Sequence, residues 1–153
     1  MNDNGYYNIR TYNWIKTITR VDIGNTVTSI GDDTFDNCSR LMSVTIPNSV
    51  TSIGRNAFFL CKNLEHLTIP NLVTTIGQNA FSECNGLLSV KFDCFDVTTA
   101  KNQILYYNMI FGNTFFDEDD NEIEKTILIN CTNGSFNVIF IPDVEDPIVF
   151  QDL

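Results

Sequence analysis

Hydrophobic positions recur with a fixed period between Val27 and Phe92. Three consecutive segments align without gaps: VTSIGDDTFDNCSRLMSVTIPNS, VTSIGRNAFFLCKNLEHLTIPNL and VTTIGQNAFSECNGLLSVKF. Glycine, phenylalanine, cysteine and leucine each return 23 residues later, at Gly31, Gly54 and Gly77, at Phe35, Phe58 and Phe81, at Cys38, Cys61 and Cys84, and at Leu41, Leu64 and Leu87. A period of this length is typical of a solenoid, in which each unit buries its apolar side against its neighbours.

Each unit contains a short strand with one buried face. In the middle unit, Leu67 and Ile69 alternate with His66 and Thr68, which is the two-residue period of a half-buried strand. Stacking pairs each strand with its copy in the next unit, so we expect a parallel sheet with rungs about 4.8 Å apart. The inward column is predicted to be Val21, Val44, Leu67 and Val90, with Ile23, Ile46, Ile69 and Phe92 beside it.

The other side of each unit is predicted to turn around a phenylalanine. Ala57, Phe58 and Cys61 have the spacing of one face of a short helix or helical turn. Gly54 precedes them, where a chain reversal requires a residue without Cβ. Phe35, Phe58 and Phe81 should form a second core layer, and truncating Phe58 to alanine should cost roughly 3–5 kcal/mol of stability.

These motifs resemble the BspA-type leucine-rich repeat family. The resemblance lies in VTSIG at 27–31 and 50–54, Ala-Phe at 57–58 and 80–81, the cysteine that follows, and L-x-x-V-x-I-P at 41–47. It implies a β-dominated α/β repeat solenoid: a short right-handed stack with a parallel sheet on one side and short helices or turns on the other. Family members are mostly non-catalytic surface, adhesion or interaction proteins of bacteria, phages, protists and some large viruses, and a phage or viral member is one hypothesis for this chain.

The repeats divide the chain into three predicted parts: an N-terminal cap with a degenerate strand at 1–23, three repeats at 24–92, and a C-terminal capping module at 93–153. Tyr6, Tyr7, Tyr12 and Trp14 are expected to cover the open end of the stack, although Trp14 also suits an interface anchor.

The C-terminal part is predicted to contain a short helix at 103–111, an acidic loop at 117–122, strands at 126–131 and 136–141, and an extended tail after Pro142. Asn133-Gly134 between the two strands predicts a hairpin with a type I′ turn. The sequence ILINCTNG at 127–134 also resembles the terminal module that follows such repeats in the family, which implies a β-hairpin cap.

The charge of the chain excludes some partners. The 153 residues carry a net charge of −10 with an isoelectric point near 4.2, so nothing neutralises nucleic-acid phosphates or anionic membranes. We therefore expect a protein partner, either one with a basic or nucleic-acid-binding surface or one indifferent to charge, and neither direct nucleic-acid nor membrane binding. The oligomeric state is left open.

Cysteine usage indicates a reducing environment. The three repeat cysteines are expected to be buried free thiols, whereas Cys94 and Cys131 lie outside the repeats and pairing between them is left open. Neither C-x-x-C spacing nor clustered histidine predicts a zinc site, and no cofactor is implied. Neither a signal peptide nor a membrane-spanning segment is recognisable, so we expect the cytoplasm or a particle assembled inside a cell.

The outward strand positions are the candidate interaction surface, because solenoids bind through repeated surfaces. The candidates are Arg20, Asp22, Thr45, His66, Thr68 and Lys91. His66 has Ser43 and Ser89 at neighbouring positions but no carboxylate to complete a triad, so we do not expect an enzyme. The leading hypothesis is a non-catalytic module for protein recognition or assembly.

The acidic segment supports a second hypothesis, in which the chain mimics nucleic acid and inhibits a nuclease as a small phage counter-defence protein. The acidic patch consists of Asp117, Glu118, Asp119, Asp120, Glu122 and Glu124. Calcium binding of the EF-hand type is not predicted, because Glu122 replaces the required glycine and Leu128 the closing glutamate. A third hypothesis is a structural component of a virion or cell surface.

Overall fold

A computed structural model of the chain contains a 3₁₀ turn at Asn13–Thr17 and strands before, within and after the repeats. It describes residues 13–93, 96, 98, 100, 111, 115, 116, 119, 121–141 and 148–153. The strands are β1 (Arg20–Asp22), β2 (Ser29–Ile30), β3 (Ser43–Thr45), β4 (Ser52–Ile53), β5 (His66–Ile69), β6 (Thr75–Ile76), β7 (Ser89–Phe92), β8 (Phe115–Phe116), β9 (Glu122–Ile123), β10 (Lys125–Cys131), β11 (Gly134–Phe140) and β12 (Ile148–Asp152).

The repeats form a β-solenoid with parallel strands, which confirms the predicted fold class. Equivalent strands pair in register, with Val21 opposite Val44 and Leu67 opposite Val90. The expected continuous sheet is nevertheless divided: β3 and β5 lie side by side, but the strands described in the structure are paired as β1–β3 and β5–β7. The first and second repeats are instead joined by backbone hydrogen bonds on the other sides of the solenoid.

A second parallel sheet runs through the Thr-Ser-Ile segments, where the sequence pattern predicted no strand. Strands β2, β4 and β6 pair in order, with Ser29 opposite Ser52 and Ser52 opposite Thr75. The isoleucine that follows in each strand is buried, whereas Ser29 and Thr75 are exposed. These two-residue strands bring the three repeats together in one register.

Of the two predicted alternatives for the other side of each repeat, a short helix or a helical turn, the structure has turns. In each turn two residues four positions apart have left-handed backbone, as at Asn56 with φ 53° and Leu60 with φ 59°. A right-handed helix cannot pass through such residues, because it needs negative φ throughout. The backbone amides of Asn56, Phe58 and Leu60 bond to the next repeat, as when the amide of Phe58 donates to the carbonyl of Ala80 at 2.8 Å.

Gly54 and Gly77 are required by the approach of one repeat to the next, not by chain reversal. A Cβ on Gly54 would lie 2.5 Å from the backbone nitrogen of Asp32 and 2.6 Å from the carbonyl carbon of Gly31. A Cβ on Gly77 would meet Arg55 and Gly54 in the same way, at 2.5 and 2.6 Å. Stacking at this distance therefore excludes any side chain at this position.

A column of phenylalanine rings forms the axis of the core. Phe35 stacks on Phe58 with ring centroids 5.1 Å apart, and Phe58 stacks on Phe81 at 5.3 Å. The column continues beyond the repeats, since Phe111 lies 6.4 Å from Phe81 and Phe140 lies 6.2 Å from Phe111. This aromatic layer is the one the sequence predicted, extended by two rings that the period did not reveal.

Burial along the strand column of the core increases from the N-terminal to the C-terminal end. Leu67, Val90 and Phe92 are buried as predicted, but Val21 and Val44 are half-buried. The two valines lie towards the N-terminal end of the stack, which fewer of the described residues cover. The prediction that these side chains point inward is thus correct, but Val21 and Val44 are less buried than predicted.

The three repeat cysteines are fully buried, as predicted. The thiol of Cys61 donates to the carbonyl oxygen of Phe35 at 3.4 Å, and that of Cys84 donates to the carbonyl oxygen of Phe58 at 3.2 Å. Burial raises the pKa of the Cys38 thiol to about 12. Cys131 is half-buried, and Cys94 lies outside the described residues, so the question of their pairing stays open.

Three C-terminal strands close the stack. Strand β10 pairs in parallel with β7, Ile129 opposite Val90, and β11 and β12 follow in antiparallel order, giving the sheet β12-β11-β10-β7-β5. The two predicted strands are confirmed. The hairpin loop is Thr132 and Asn133, neither of which has the positive φ of a type I′ turn, and Gly134 already belongs to β11. The expected extended tail pairs as β12 because Phe150 packs against Phe136.

Two predictions fall on residues outside the described ranges. They are the helix at 103–111, apart from the buried Phe111, and the covering of the N-terminal end by Tyr6, Tyr7 and Tyr12; neither can be placed, nor can the side chain of Trp14. Both stay predictions, as do the domain boundaries. Within the described residues, no helix has the length and apolar character needed to cross a membrane.

Candidate interaction surface

The six residues predicted as an interaction surface all lie on one side of the strands, here called the outer face. It consists of the outward side chains of β1, β3, β5, β7, β10, β11 and β12. Arg20, Asp22, Thr45, His66, Thr68 and Lys91 are exposed there. The structure divides these residues between the β1–β3 pair and the five-stranded sheet, because β3 and β5 are neighbours without strand pairing.

A polar network fixes the N-terminal part of the outer face. The guanidinium of Arg20 donates to both carboxylate oxygens of Asp22, at 2.9 and 3.0 Å, and the hydroxyl of Thr45 donates to the same carboxylate at 2.8 Å. These hydrogen bonds hold the pKa of Asp22 below its usual value, with Arg20 the larger cause, and the pKa of Arg20 is raised by Asp22. Both residues stay charged, and each is already a hydrogen-bond partner of the other.

His66 and Ser89 form a hydrogen bond across β5 and β7, with Nδ1 and Oγ 2.8 Å apart. Within the described residues, no carboxylate is hydrogen-bonded to this imidazole. The amides of Leu88 and Ser89 both donate to the carbonyl of Glu65, so neither is available as an oxyanion donor. The pair therefore has a possible nucleophile and base, and the part of the chain that the structure describes adds neither an orienting acid nor the charge stabilisation that acyl transfer requires.

Lys91 completes the polar part of the face. Its ammonium lies 2.8 Å from a carboxylate oxygen of Asp93, and the lysine side chain is 60% exposed. An exposed ion pair of this kind contributes little to stability. The ion pair orients the Lys91 side chain along β7, and Lys91 lies directly opposite Thr68 of β5.

Sequence reasoning missed an apolar part of the outer face. Leu128, Ile139 and Val149 point outward from β10, β11 and β12, and Val149 is 42% exposed. Ile139 is directly opposite Val149, and Leu128 is diagonal to Ile139 and directly opposite Ser89. The two-residue period of β10 and β11 indicated this apolar area. Ile127, Ile129, Phe136 and Val138 point inward, so the residues next to them in each strand point outward.

The acidic segment connects two short antiparallel strands. Phe115 of β8 is opposite Ile123 of β9, and Phe116 is opposite Glu122. Asp119, Glu122 and Glu124 are exposed, whereas Asp117, Glu118 and Asp120 lie outside the described residues. Over the described part of the chain, no three acidic, histidine or cysteine side chains converge in a way that would hold a metal ion.

Comparison of the sequence with known families gives a match over most of the chain. The profile of the BspA type leucine rich repeat region matches residues 8–135, in six copies. The chain belongs to this family. The match includes β10, which pairs in parallel with β7 as the repeat strands pair with one another.

Solved structures similar to the chain are bacterial leucine-rich repeat proteins. A leucine rich cell surface protein of Faecalibacterium prausnitzii is 42% identical over 49% of this chain and 20% of its own, with a TM-score of 0.47. The T. pallidum leucine rich repeat protein is 26% identical over 50% of this chain and 46% of its own, with a TM-score of 0.40. A leucine-rich repeat protein of Bacteroides ovatus is 34% identical over 49% and 25%, with a TM-score of 0.36.

The matched segment is thus less than half of each of these solved chains. No curated protein matches the sequence at a significant level.

Proposed function

We propose that this leucine-rich repeat chain is a non-catalytic protein-recognition module that binds its partner with the outer face. The observation that carries the proposal is the composition of that face in the five-stranded sheet. His66, Ser89 and Lys91 are held by hydrogen bonds or an ion pair, and the apolar side chains of Leu128, Ile139 and Val149 continue the same surface.

Rigid polar groups beside an apolar area are what a recognition surface needs. Side chains that are already held in one conformation lose little entropy when a partner binds, so more of the contact energy appears as affinity. Apolar side chains at the centre of an interface supply most of the binding energy, and the surrounding polar groups set orientation and specificity. We place Leu128 at this centre because it is directly opposite Ser89 and diagonal to Ile139.

The experiment is capture of partners from host lysate by the tagged protein, followed by affinity measurement with the purified partner. Leu128→Glu should lower affinity at least tenfold, because a carboxylate would replace an apolar contact. The matched control is Thr51→Glu, which adds the same charge at an exposed position before β4, away from the outer face, and should change affinity less than about twofold.

Equal loss in both variants would contradict binding through the outer face. The proposal that the module is non-catalytic would be overturned by a turnover activity that survives purification and is lost with a point mutation, for example at His66 or Ser89.

The exposed carboxylates of the β8–β9 hairpin favour a second candidate, a phage counter-defence inhibitor that occupies the basic groove of a nuclease. Asp119, Glu122 and Glu124 are exposed in a chain of net charge −10. In this case captured nuclease should be released by added DNA and by high salt, since charge pairing is screened. Replacing Glu122 and Glu124 with lysine should abolish inhibition, and inhibition that persists would exclude the mimic.

A further inference from the structure

The strand side of the solenoid is interrupted between the first and the second repeat. Strand β3 belongs to the first repeat, β5 to the second and β7 to the third. Strands β5 and β7 pair in register over four residues, whereas β3 and β5 lie side by side without pairing. The two junctions between repeats therefore differ on this side of the solenoid.

The backbone hydrogen bonds beside the strands show the same difference. The amide of Leu88 donates to the carbonyl of Glu65 at 2.8 Å, and the amide of Met42 donates to the carbonyl of Thr19 at 2.9 Å. The amide of Glu65 has the same repeat position, but it makes no backbone hydrogen bond to Met42 or to any other residue that the structure describes. The sheet is therefore open at the junction of the first two repeats.

The side chains of the outer face also avoid this junction. The hydroxyl of Thr45 bonds to β1, and the imidazole of His66 bonds to β7. Within the described residues, no side-chain hydrogen bond or ion pair joins β3 to β5. Val44 has a strand on each side and is only half-buried, whereas Val90 at the equivalent position of β7 is fully buried. The core is less well covered between β3 and β5.

The other two sides of the same junction are intact. Strands β2 and β4 pair in register, as β4 and β6 do. In the turns, the amide of Phe35 donates to the carbonyl of Ala57 at 2.7 Å, and the equivalent bond from Phe58 to Ala80 is 2.8 Å long. The first two repeats are thus joined along two sides and not along the third, which is the arrangement of a hinge.

We propose that the solenoid hinges at this junction. One body contains β1, β2 and β3, the other contains β4 to β7 with β10 to β12, and the gap between β3 and β5 opens and closes while the β2–β4 pair and the turns act as the pivot. The inference goes beyond the proposed recognition function, since it concerns motion of the chain without any partner. The hinge divides the outer face between Thr45 and Thr68, so a partner that contacts both bodies would select one curvature of this face.

Two matched metal clamps test the hinge in the purified full chain. His66 is directly opposite Ser89 of β7, and Ser43 has the equivalent position in β3. Ser89→His therefore adds an imidazole across paired strands, whereas Ser43→His adds one across the gap. Imidazole is a good ligand for Ni²⁺, so each variant has two ligands on neighbouring strands. Calorimetric titration with Ni²⁺ measures both affinities, and the unsubstituted chain gives the binding due to other groups.

The hinge predicts weaker binding across the gap. With the closed form populated at about 1–10%, Ser43→His should bind Ni²⁺ about ten- to a hundredfold more weakly than Ser89→His, because part of the binding energy closes the gap. Equal or tighter binding by Ser43→His would show that β3 is held against β5 as firmly as β7 is. Binding by Ser43→His no stronger than that of the unsubstituted chain would show a fixed gap. Either result would overturn the hinge.

Hydrogen exchange of the backbone amides is the second measurement. In the unsubstituted chain the protection factor of Glu65 should be at least tenfold lower than that of Leu88, which is hydrogen-bonded at the same repeat position. Saturating Ni²⁺ should raise the protection of Glu65 in Ser43→His and leave the turn amide of Phe58 unchanged. Equal protection of Glu65 and Leu88, or no response of Glu65 to Ni²⁺ in Ser43→His, would contradict the hinge and leave the proposed recognition function untouched.

Discussion

At the scale of single residues, each repeat contains two residues with left-handed backbone that the sequence pattern does not predict. Asp33, Asn56 and Asn79 have left-handed backbone at one repeat position, and asparagine and aspartate tolerate that conformation. The second left-handed position carries Asn37, Leu60 and Glu83. The leucine side chain has no polar group that could offset the clash of Cβ with the following carbonyl, so Leu60 stores strain.

Replacing Leu60 with asparagine should therefore stabilise the protein. We expect the free energy of unfolding to rise by about 0.5–1 kcal/mol, part of the 1–2 kcal/mol cost of left-handed backbone at an ordinary residue. Leu60→Ala keeps Cβ and serves as the control, which should show no gain. Urea denaturation followed by circular dichroism measures both, and a stabilised alanine variant would show that the side chain, not the backbone, is the source of the strain.

The phenylalanine column allows a second comparison at this scale. Phe58→Ala should cost roughly 3–5 kcal/mol, because the ring is fully buried and stacked on both sides. Phe35→Ala should cost less, since Phe35 is 8% exposed and lies nearer the end of the stack. Denaturant titration of the two variants tests the ranking, which equal losses would contradict.

At the scale of elements, the turns and short strands depend on contact between repeats more than on their own sequence. Backbone amides beside the short strands donate to the preceding repeat, as from Thr51 to Thr28 and from Thr74 to Thr51, both at 2.9 Å, whereas turn amides such as that of Phe58 donate to the next repeat. The threonine hydroxyls make the same crossing, at 3.1 and 3.3 Å. A single repeat would leave these groups without partners, so no unit is expected to fold alone.

Gly54→Ala tests the closeness of this contact. The new methyl group would lie within 2.6 Å of backbone atoms of Gly31 and Asp32, which cannot rotate away, so we expect a loss of about 1–3 kcal/mol or more. Gly24→Ala is the matched control, because a Cβ on Gly24 would meet no atom within 4 Å and the change should be neutral or slightly stabilising. Thermal unfolding of the two variants gives the comparison.

At the scale of the whole molecule, the C-terminal strands cover an end of the core that would otherwise face water. Strand β10 attaches to β7, and the ammonium of Lys125 donates to the carbonyl of Asn85 at 2.8 Å, which fixes the hairpin to the third repeat. Burial lowers the pKa of Lys125. The buried rings of Phe136 and Phe140 then complete the core.

A chain ending at residue 93 should therefore fail to fold cooperatively. It would expose Phe81, Val90 and Phe92, which are buried in the full chain. We expect a broad thermal transition and aggregation during size-exclusion chromatography. A chain ending at residue 141 keeps β10 and β11 and should stay folded with reduced stability. A cooperative, monomeric 1–93 fragment would contradict a capping role for the C-terminal strands.

The sequence by itself determined the repeat, the strands β1, β3, β5 and β7, the phenylalanine layer and the outward direction of the polar side chains on these strands. Each of these follows from a period of 23 or of two residues, because stacking converts a sequence period directly into a column in space. The same alternation also specified the C-terminal hairpin strands.

Tertiary structure decided the rest, because the deciding contacts join residues far apart in the chain or have no period. The turns do not continue as helices because alternate amides bond to the next repeat, and Gly54 is required by the backbone of Gly31 and Asp32. Strand β12 pairs with β11 where Phe150 packs against Phe136, and Leu128 becomes part of the candidate surface because β10 pairs with β7, which is distant in the sequence. The local sequence pattern therefore specifies whether a side chain points inward or outward, and the packing of the repeats decides which residues it contacts.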